Sequence, residues 1–268
     1  METSQQRILI SVSQRASSNG VYFYNGIFRK LGMSAVYLGC QTRTLHGFRD
    51  SLNFIGVHAA SIAAPFKCAV PPLLDDLTDA AKLTMSVNAV RRDGDRLTGD
   101  NTDIAGIRTV LASNTANMGR QPSVLIYGSG GVVPSVVSAI RLVHADAQIY
   151  LSSRNHEVGK ALCGNMRVIW CENPSQRSFD LWINATPAGI DDPVGILRLC
   201  LNAATVFDLV AIQAAYPFEE SVRARGQGFL RGFDLYRAQF LEQFRFYFGC
   251  ELDPSLFDEL ARARLLSW

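Results

Sequence analysis

Short β-rich runs alternate with longer stretches of helical period along the whole chain, which predicts an α/β architecture. Among the first hundred or so residues, 7–12 (RILISV), 35–39 (AVYLG) and 54–62 (FIGVHAASI) carry the apolar, β-branched character of strands. Residues 21–31 and 44–52 between them fit helices. Residues 87–101 (VNAVRRDGDRLTGDN) read as a hairpin, with Asp93-Gly94 supplying the positive φ of a tight turn. The next segment, 102–114, opens with Thr102 as a candidate cap and continues at helical spacing.

A second α/β series starts near Pro122. Strands are expected at 123–128 (SVLIYG), 148–153 (QIYLSS), 167–170 (RVIW), 180–185 (DLWINA) and 205–210 (TVFDLV), with a helix at 132–143. Beyond Gly232 the period becomes that of two long helices, 233–248 and 254–266. These changes divide the chain into 1–103, 104–231 and 232–268, and the last segment is expected to pack back on the first.

Bulk properties narrow the classes. A chain of 268 residues is comfortable for two domains, and 48% hydrophobic with 19% charged residues describes a globular protein rather than a disordered one. A net charge of +2 offers no electrostatic footprint for nucleic acid or an anionic membrane. No apolar run approaches the ~18 residues that span a bilayer. The N-terminus lacks the basic and apolar regions of a signal peptide. The six cysteines, Cys40, Cys68, Cys163, Cys171, Cys200 and Cys250, are scattered, with neither C-x-x-C spacing nor a partnering histidine. Neither a metal site nor a disulfide framework is expected, and reduced thiols in a cytoplasm are the simplest reading.

One stretch carries cofactor chemistry. Gly128-x-Gly130-Gly131 lies directly between a strand and a helix, where missing side chains let backbone N–H groups approach a pyrophosphate at a helix N-terminus. Val133 stands where the third glycine of the dinucleotide fingerprint belongs, and Pro134 follows. A tight turn without a ligand would use the same glycines. The next strand ends in Ser152, Ser153 and Arg154; an acid there would favour NAD, whereas an arginine suits the 2′-phosphate of NADP. NADP is therefore the expected cofactor, with NAD possible.

In chain order, PFK at 65–67, SVNAV at 86–90, GDNTD at 99–103, GSGG at 128–131, INATPAG at 183–189 and GFDLYRAQ at 232–239 resemble the shikimate dehydrogenase family. The match spans nearly the whole chain. It implies a substrate domain built from the N-terminal segment and the C-terminal helices, around a Rossmann NADP domain. By position, Lys67 and Asp103 match the catalytic pair, and Asn88 and Gln239 match substrate-binding residues. Ser11 and Ser13 match the carboxylate-binding serines, with Ser17 and Ser18 as rivals, because about seven extra residues precede Tyr24-Asn25. The expected cofactor contacts are Gly128, Ser129, Gly130, Gly131, Ser153, Arg154, Ala185 and Thr186. Ordinary explanations exist for each: a solvated lysine, a helix-capping aspartate, a strand asparagine bonded to backbone.

The sequence departs from the family pattern in places that matter. The usual NVTIPFK becomes SIAAPFK, placing Ser61 at an expected asparagine and Ala63 at a substrate-binding threonine. After the last Rossmann strand, Ala211 replaces an expected tyrosine. The resemblance is thus to a divergent, shikimate dehydrogenase-like branch. It implies an NADP-dependent oxidoreductase acting on shikimate or a close cyclic polyol carboxylate, as a monomer or homodimer. A quinate or aminoshikimate-type dehydrogenase, or a catalytically weak binding homologue, are the other readings. Two roles fit Lys67: proton acceptor, or a group that mainly orients the substrate hydroxyl.

Overall fold

The strand Arg7–Ser13 (β1) sits between Ala35–Gln41 (β2) and Val57–Ile62 (β3), parallel to both, and nucleates the first of two sheets. The computed structural model of the protein describes residues 6–14 and 18–266. Asp76–Leu77 (β4), Ala89–Asp93 (β5) and Arg96–Asp100 (β6) complete that sheet in the order β2-β1-β3-β5-β6-β4. β5 runs antiparallel to both β3 and β6. The second sheet comprises Ser123–Tyr127 (β7), Gln148–Ser152 (β8), Ile169–Trp170 (β9), Phe179–Asn184 (β10), Ala203–Asp208 (β11) and Gly228–Arg231 (β12). Its order is β12-β11-β10-β7-β8-β9, with every pairing parallel.

The chain forms two compact units, 1–102 with 240–268, and 103–239. The second division falls within the helix Gly232–Phe248, past the Gly232 boundary read from periodicity. In the first unit, the helix Ser18–Lys30 stacks Phe23 on Phe257 of the helix Pro254–Leu266, at 4.3 Å between ring centroids. Tyr24 stacks on Tyr37 of β2 at 4.6 Å. Gly26 is required by the same helix pair, because a Cβ there would lie 2.7 Å from Leu260. A second apolar cluster, from Ile10 and Val12 to Val90 and Leu97, fills the other side of the sheet. In the second unit, Trp182, Val206, Phe218 and Phe229 lead the core under the parallel sheet. Strands buried on both faces explain its near-continuous apolar runs.

Local chemistry shifted several elements from their expected bounds. The helix expected at 44–52 runs instead over Phe48–Ile55. Thr42 and Thr44 hydroxyls bond the backbone at residues 44 and 46, an arrangement that competes with helix. Gly47 and Gly56, with φ of 67° and 68°, bracket the helix, so residues 54 and 55 end it rather than open a strand. The hairpin turn lies at Gly94-Asp95, since Asp93 pairs with Arg96, and Gly94 (φ 59°) bears the positive φ. Only Ile169–Trp170 of residues 167–170 is strand, because Arg167 (φ 54°) caps the preceding helix in the left-handed conformation. β12 has no counterpart among the expected strands, because four residues with Gly228 at their head carry too little pattern.

Candidate functional site

Parallel pairing sets the first unit's candidates at one sheet edge, the carboxyl ends of β1 and β3, where open α/β sheets place ligands. Ser11 aligns with Ser61, and the Ala63 N–H donates to the Val12 carbonyl just before Ser13. Four residues on, Lys67 lies in the short 3-10 turn Phe66–Cys68, half-buried, and its carbonyl accepts from the Val87 N–H at 2.9 Å. Asn88 follows next in the chain, and its backbone carbonyl accepts from Ile62 and from the Gln243 side chain. Backbone hydrogen bonds thus tie the 61–67 and 86–88 segments together, although 18 residues separate Lys67 from Ser86 in sequence.

Asn88 is 1% exposed. Its side-chain oxygen accepts from the Thr102 N–H (2.9 Å) and hydroxyl (3.1 Å), and its amide nitrogen donates to the Thr102 oxygen (3.0 Å). Thr102 is the first residue of the helix Thr102–Asn114, so Asn88, just before β5, supplies the acceptor that an N-cap supplies locally. The hairpin makes this reach possible: β5 and β6 pair Ala89 with Asp100, returning the chain to its start. Thr102 is therefore held by Asn88, in place of the local cap expected of it. Asn101 donates to Thr84 at 2.8 Å, and Thr78 bonds Asp100, so the whole GDNTD segment is anchored.

Ser61 occupies a different setting from the one its position in the motif implies. It donates to Gln243 Oε1 (3.2 Å) and pairs with the Tyr247 hydroxyl (2.9 Å). Tyr24 donates to the same Gln243 oxygen at 3.1 Å. Burial pushes the Tyr37 phenol up to about 12, against the lowering effect of hydrogen bonds with Ser61 and Ser11. The hydroxyls near Ser11 are thus knitted into the interior of the first unit. Ser13, on the same face of β1, is buried. Of the rival serines, Ser18 is exposed and accepts a bond from Arg264 at 3.1 Å, and Ser17 lies outside the described residues.

Asp103 is the second residue of the helix Thr102–Asn114 and heads the second unit; it is buried. Gln239, half-buried, closes that unit on the helix Gly232–Phe248. The helices of Asp103 and Gln239 approach closely at Gly106, where a Cβ would lie 3.1 Å from the Gln239 nitrogen and 2.9 Å from Leu235.

The remaining candidates gather at the carboxyl edge of the parallel sheet. A cavity of about 330 Å³ is lined by Tyr127, Gly128, Ser129, Gly130, Ser153, Arg154, Asn155, Ala185, Thr186 and Pro187. Seven of the eight expected cofactor contacts line it; Gly131 does not. Gly128 has φ 136°, and a Cβ there would lie 2.9 Å from the Ala185 carbonyl oxygen. At Gly130 a Cβ would meet nothing, so that face of the turn stays open to a close approach. The helix Val133–Val143 begins without a side-chain cap, with Pro134 in its first turn and the Val133 N–H donating to the Gly130 carbonyl at 3.0 Å. Ser153 donates to the Asn155 carbonyl at 2.7 Å, fixing the loop that carries Arg154.

A buried polar relay stiffens the opposite wall, and the motif reading missed it. Asn184 accepts from the Thr186 N–H and hydroxyl, and donates to Asp208 at 3.0 Å. Asp208, fully buried, also accepts from the Val210 N–H and from Tyr216 at 2.5 Å. Burial raises the Asp208 carboxyl to about 6, with the bonds from Tyr216, Val210 and Asn184 acting the other way. Burial and the adjacent Asp208 charge push the Tyr216 phenol well up. The signal for this relay was the Asn of INATPAG with an aspartate closing the next strand. Tyr216 comes to that aspartate from a loop with no periodic pattern.

Reversed, the second sheet reads in the order 3-2-1-4-5-6 of a doubly wound dinucleotide-binding fold, with the glycine turn following its first strand. The open face at Gly130 and Arg154 in the same cavity lining fit such a cofactor. The chain belongs to the shikimate dehydrogenase family: it is 30% identical over 249 residues to shikimate dehydrogenase (NADP(+)) of Thermoplasma acidophilum, covering 91% of this chain and 90% of that one. A shikimate dehydrogenase-like protein of Haemophilus influenzae is 26% identical over 253 residues, 92% of each chain. Shikimate 5-dehydrogenase of Thermus thermophilus, solved in complex with NADP(H) and shikimate, shares the fold at a TM-score of 0.81 and 22% identity, over 96% of this chain and 99% of that one. No protein-family model matches the chain.

Proposed function

We propose that the protein is an NADP-dependent oxidoreductase interconverting shikimate, or a close cyclic polyol carboxylate, with its 3-dehydro form. The observation that carries this reading is the similarity to a shikimate dehydrogenase (NADP(+)) along nine-tenths of both chains, together with Lys67, Asn88, Asp103 and Gln239 at the family's motif positions. NADP, when bound, supplies the hydride acceptor. The glycine turn Gly128–Gly131 and the start of the helix Val133–Val143 would hold its pyrophosphate, Arg154 its 2′-phosphate, and Ala185 and Thr186 the opposite wall.

Oxidising a secondary alcohol also releases the hydroxyl proton, and Lys67 with Asp103 takes that part. A positioned acid–base group contributes about 10²–10⁴-fold to such a step. Asn88 and Gln239 orient the ring hydroxyls, and Ser11 and Ser13 bind the carboxylate. Pinning of Thr102 by Asn88 also holds the backbone immediately before Asp103, so one carboxamide serves both orientation and preorganisation.

Steady-state kinetics with shikimate and quinate against NADP and NAD tests the assignment. Lys67→Ala is expected to lower kcat by about 10²–10⁴-fold while NADPH affinity stays near that of the native protein. Substantial activity in that variant removes Lys67 from the mechanism. Ala63 and the internally bonded Ser61 favour a second reading, a quinate or aminoshikimate-type dehydrogenase or a weakly catalytic ligand-binding homologue. Turnover confined to another cyclic acid, or micromolar ligand binding with no turnover across the panel, would support it.

A further inference from the structure

The opposite edge of the first sheet carries a basic cleft that none of this chemistry uses. A cavity of about 650 Å³ is lined by Gln6, Arg7, Met33, Ser34, Gly56, His58 and Arg92. These residues sit at the amino ends of β1, β2 and β3 and on antiparallel β5, the edge remote from Ser13, Ala63 and Asn88. No carboxylate lines it. Among the described residues, Arg7, Arg91 and Arg92 form no ion pair, although carboxylates pair with many of the other arginines.

The basic groups divide by what already satisfies them. Arg91 donates to the Phe246 carbonyl at 3.0 Å, and His58 Nε2 lies 3.1 Å from the Tyr247 carbonyl. Both accept the role of capping the C-terminal end of the helix Gly232–Phe248, whose last carbonyls favour cations. Two groups remain. Arg92 spends its Nε on the Val57 carbonyl at 2.8 Å, while its Nη2 is buried with no hydrogen-bond partner. Arg7 is exposed at the rim, its guanidinium 5.6 Å from the centre of the Phe248 ring.

A buried guanidinium nitrogen without an acceptor costs free energy, which any acceptor that reaches it, an anion included, would offset. The cavity volume falls within the range of small-molecule sites. With two guanidinium groups and no acid in the lining, a divalent oxyanion is the best-matched headgroup; Gln6 and Ser34 add neutral polar groups. We infer that this cleft is a second binding site, separate from the cofactor cavity and the substrate edge, for a small phosphate-bearing metabolite held by Arg7 and Arg92. The inference does not depend on which substrate the protein turns over.

Isothermal titration with inorganic phosphate at constant ionic strength tests it, with acetate as the monovalent carboxylate arm. The intact protein is expected to bind phosphate saturably and more tightly than acetate. Arg7→Ala, at an exposed position, should weaken phosphate about tenfold with Tm held, and Arg92→Gln, which also loses the bond to the Val57 carbonyl, should weaken it similarly with its own shift in Tm. Arg154→Ala, in the cofactor cavity, should leave that binding intact. The inference is overturned by loss of binding in Arg154→Ala but not in Arg7→Ala, by acetate binding as tightly as phosphate, or by no saturable heat in the intact protein.

Discussion

The two sheets build their edges in opposite ways. In the second unit, a single strand–turn–helix segment delivers the glycines, and the neighbouring parallel strands bring Arg154 and Thr186 beside it. In the first unit, no two candidates share an element other than Ser11 and Ser13. Lys67 comes from a 3-10 turn, and Asn88 from the residue just before a strand that runs antiparallel to its neighbour. A parallel sheet collects consecutive strand ends at one edge by topology alone. A mixed sheet must lock each contribution with a specific bond, and Asn88 with Thr102 is that lock here. Disturbing the first unit should therefore act through stability, whereas disturbing the second can be made to act on binding alone.

The largest expected effect separates two glycines two positions apart in the same turn. Gly128→Ala places a Cβ 2.9 Å from backbone at φ 136° and should destabilise the protein by about 3 kcal/mol. Gly130→Ala meets open space, so Tm should hold while nucleotide affinity falls. Thermal melts with NADPH titrations measure both, and equal loss of Tm in the two variants would break the contrast. Asn88→Ala comes next. It strips the acceptor from a buried helix-start N–H and should lower stability by about 2 kcal/mol by urea unfolding. A variant as stable as the native protein would show that the first unit needs no such lock.

The Asp208 relay sharpens the comparison within the second unit. Its carboxyl rises from an ordinary 3.8 to about 6 in the folded state, so the folded protein binds the proton more tightly. Stability from this group is therefore present at low pH and lost as pH rises from about 4 to about 6. Asp208→Asn should remove that slope, read as the pH dependence of the difference in unfolding free energy between variant and native protein. A difference that is flat across this window would reverse the assignment. The smallest effect is expected at Ala63→Thr. A restored hydroxyl is worth about 0.5–1.5 kcal/mol, so the shikimate KM should fall by up to about tenfold, and no fall would point to a site shaped for another ligand.

Where sequence reading succeeded, the signal was local. The apolar runs of β7, β8, β10 and β11, the glycine turn and the two terminal helices follow from patterns a few residues long. Where it slipped, a competing local bond or a distant partner intervened. Threonine hydroxyls delayed the second helix to Phe48, and a left-handed Arg167 shortened a strand. A strand of four residues has too few positions for alternation to show, so β12 was found only beside β11.

The same division holds for the sites. Local pattern marked the glycine turn, and the resemblance carried by short contiguous motifs marked Lys67, Asn88, Asp103 and Gln239 as the positions to examine. Tertiary structure decided what holds them: the Asn88 carboxamide on Thr102, Ser61 drawn inward by Gln243 and Tyr247, and Tyr216 reaching Asp208. It also decided that Arg7 and Arg92, 85 positions apart in the chain, line one cleft. Hydrogen bonds and charge pairings between distant segments leave no periodic trace in a sequence, since only folding brings their atoms within reach.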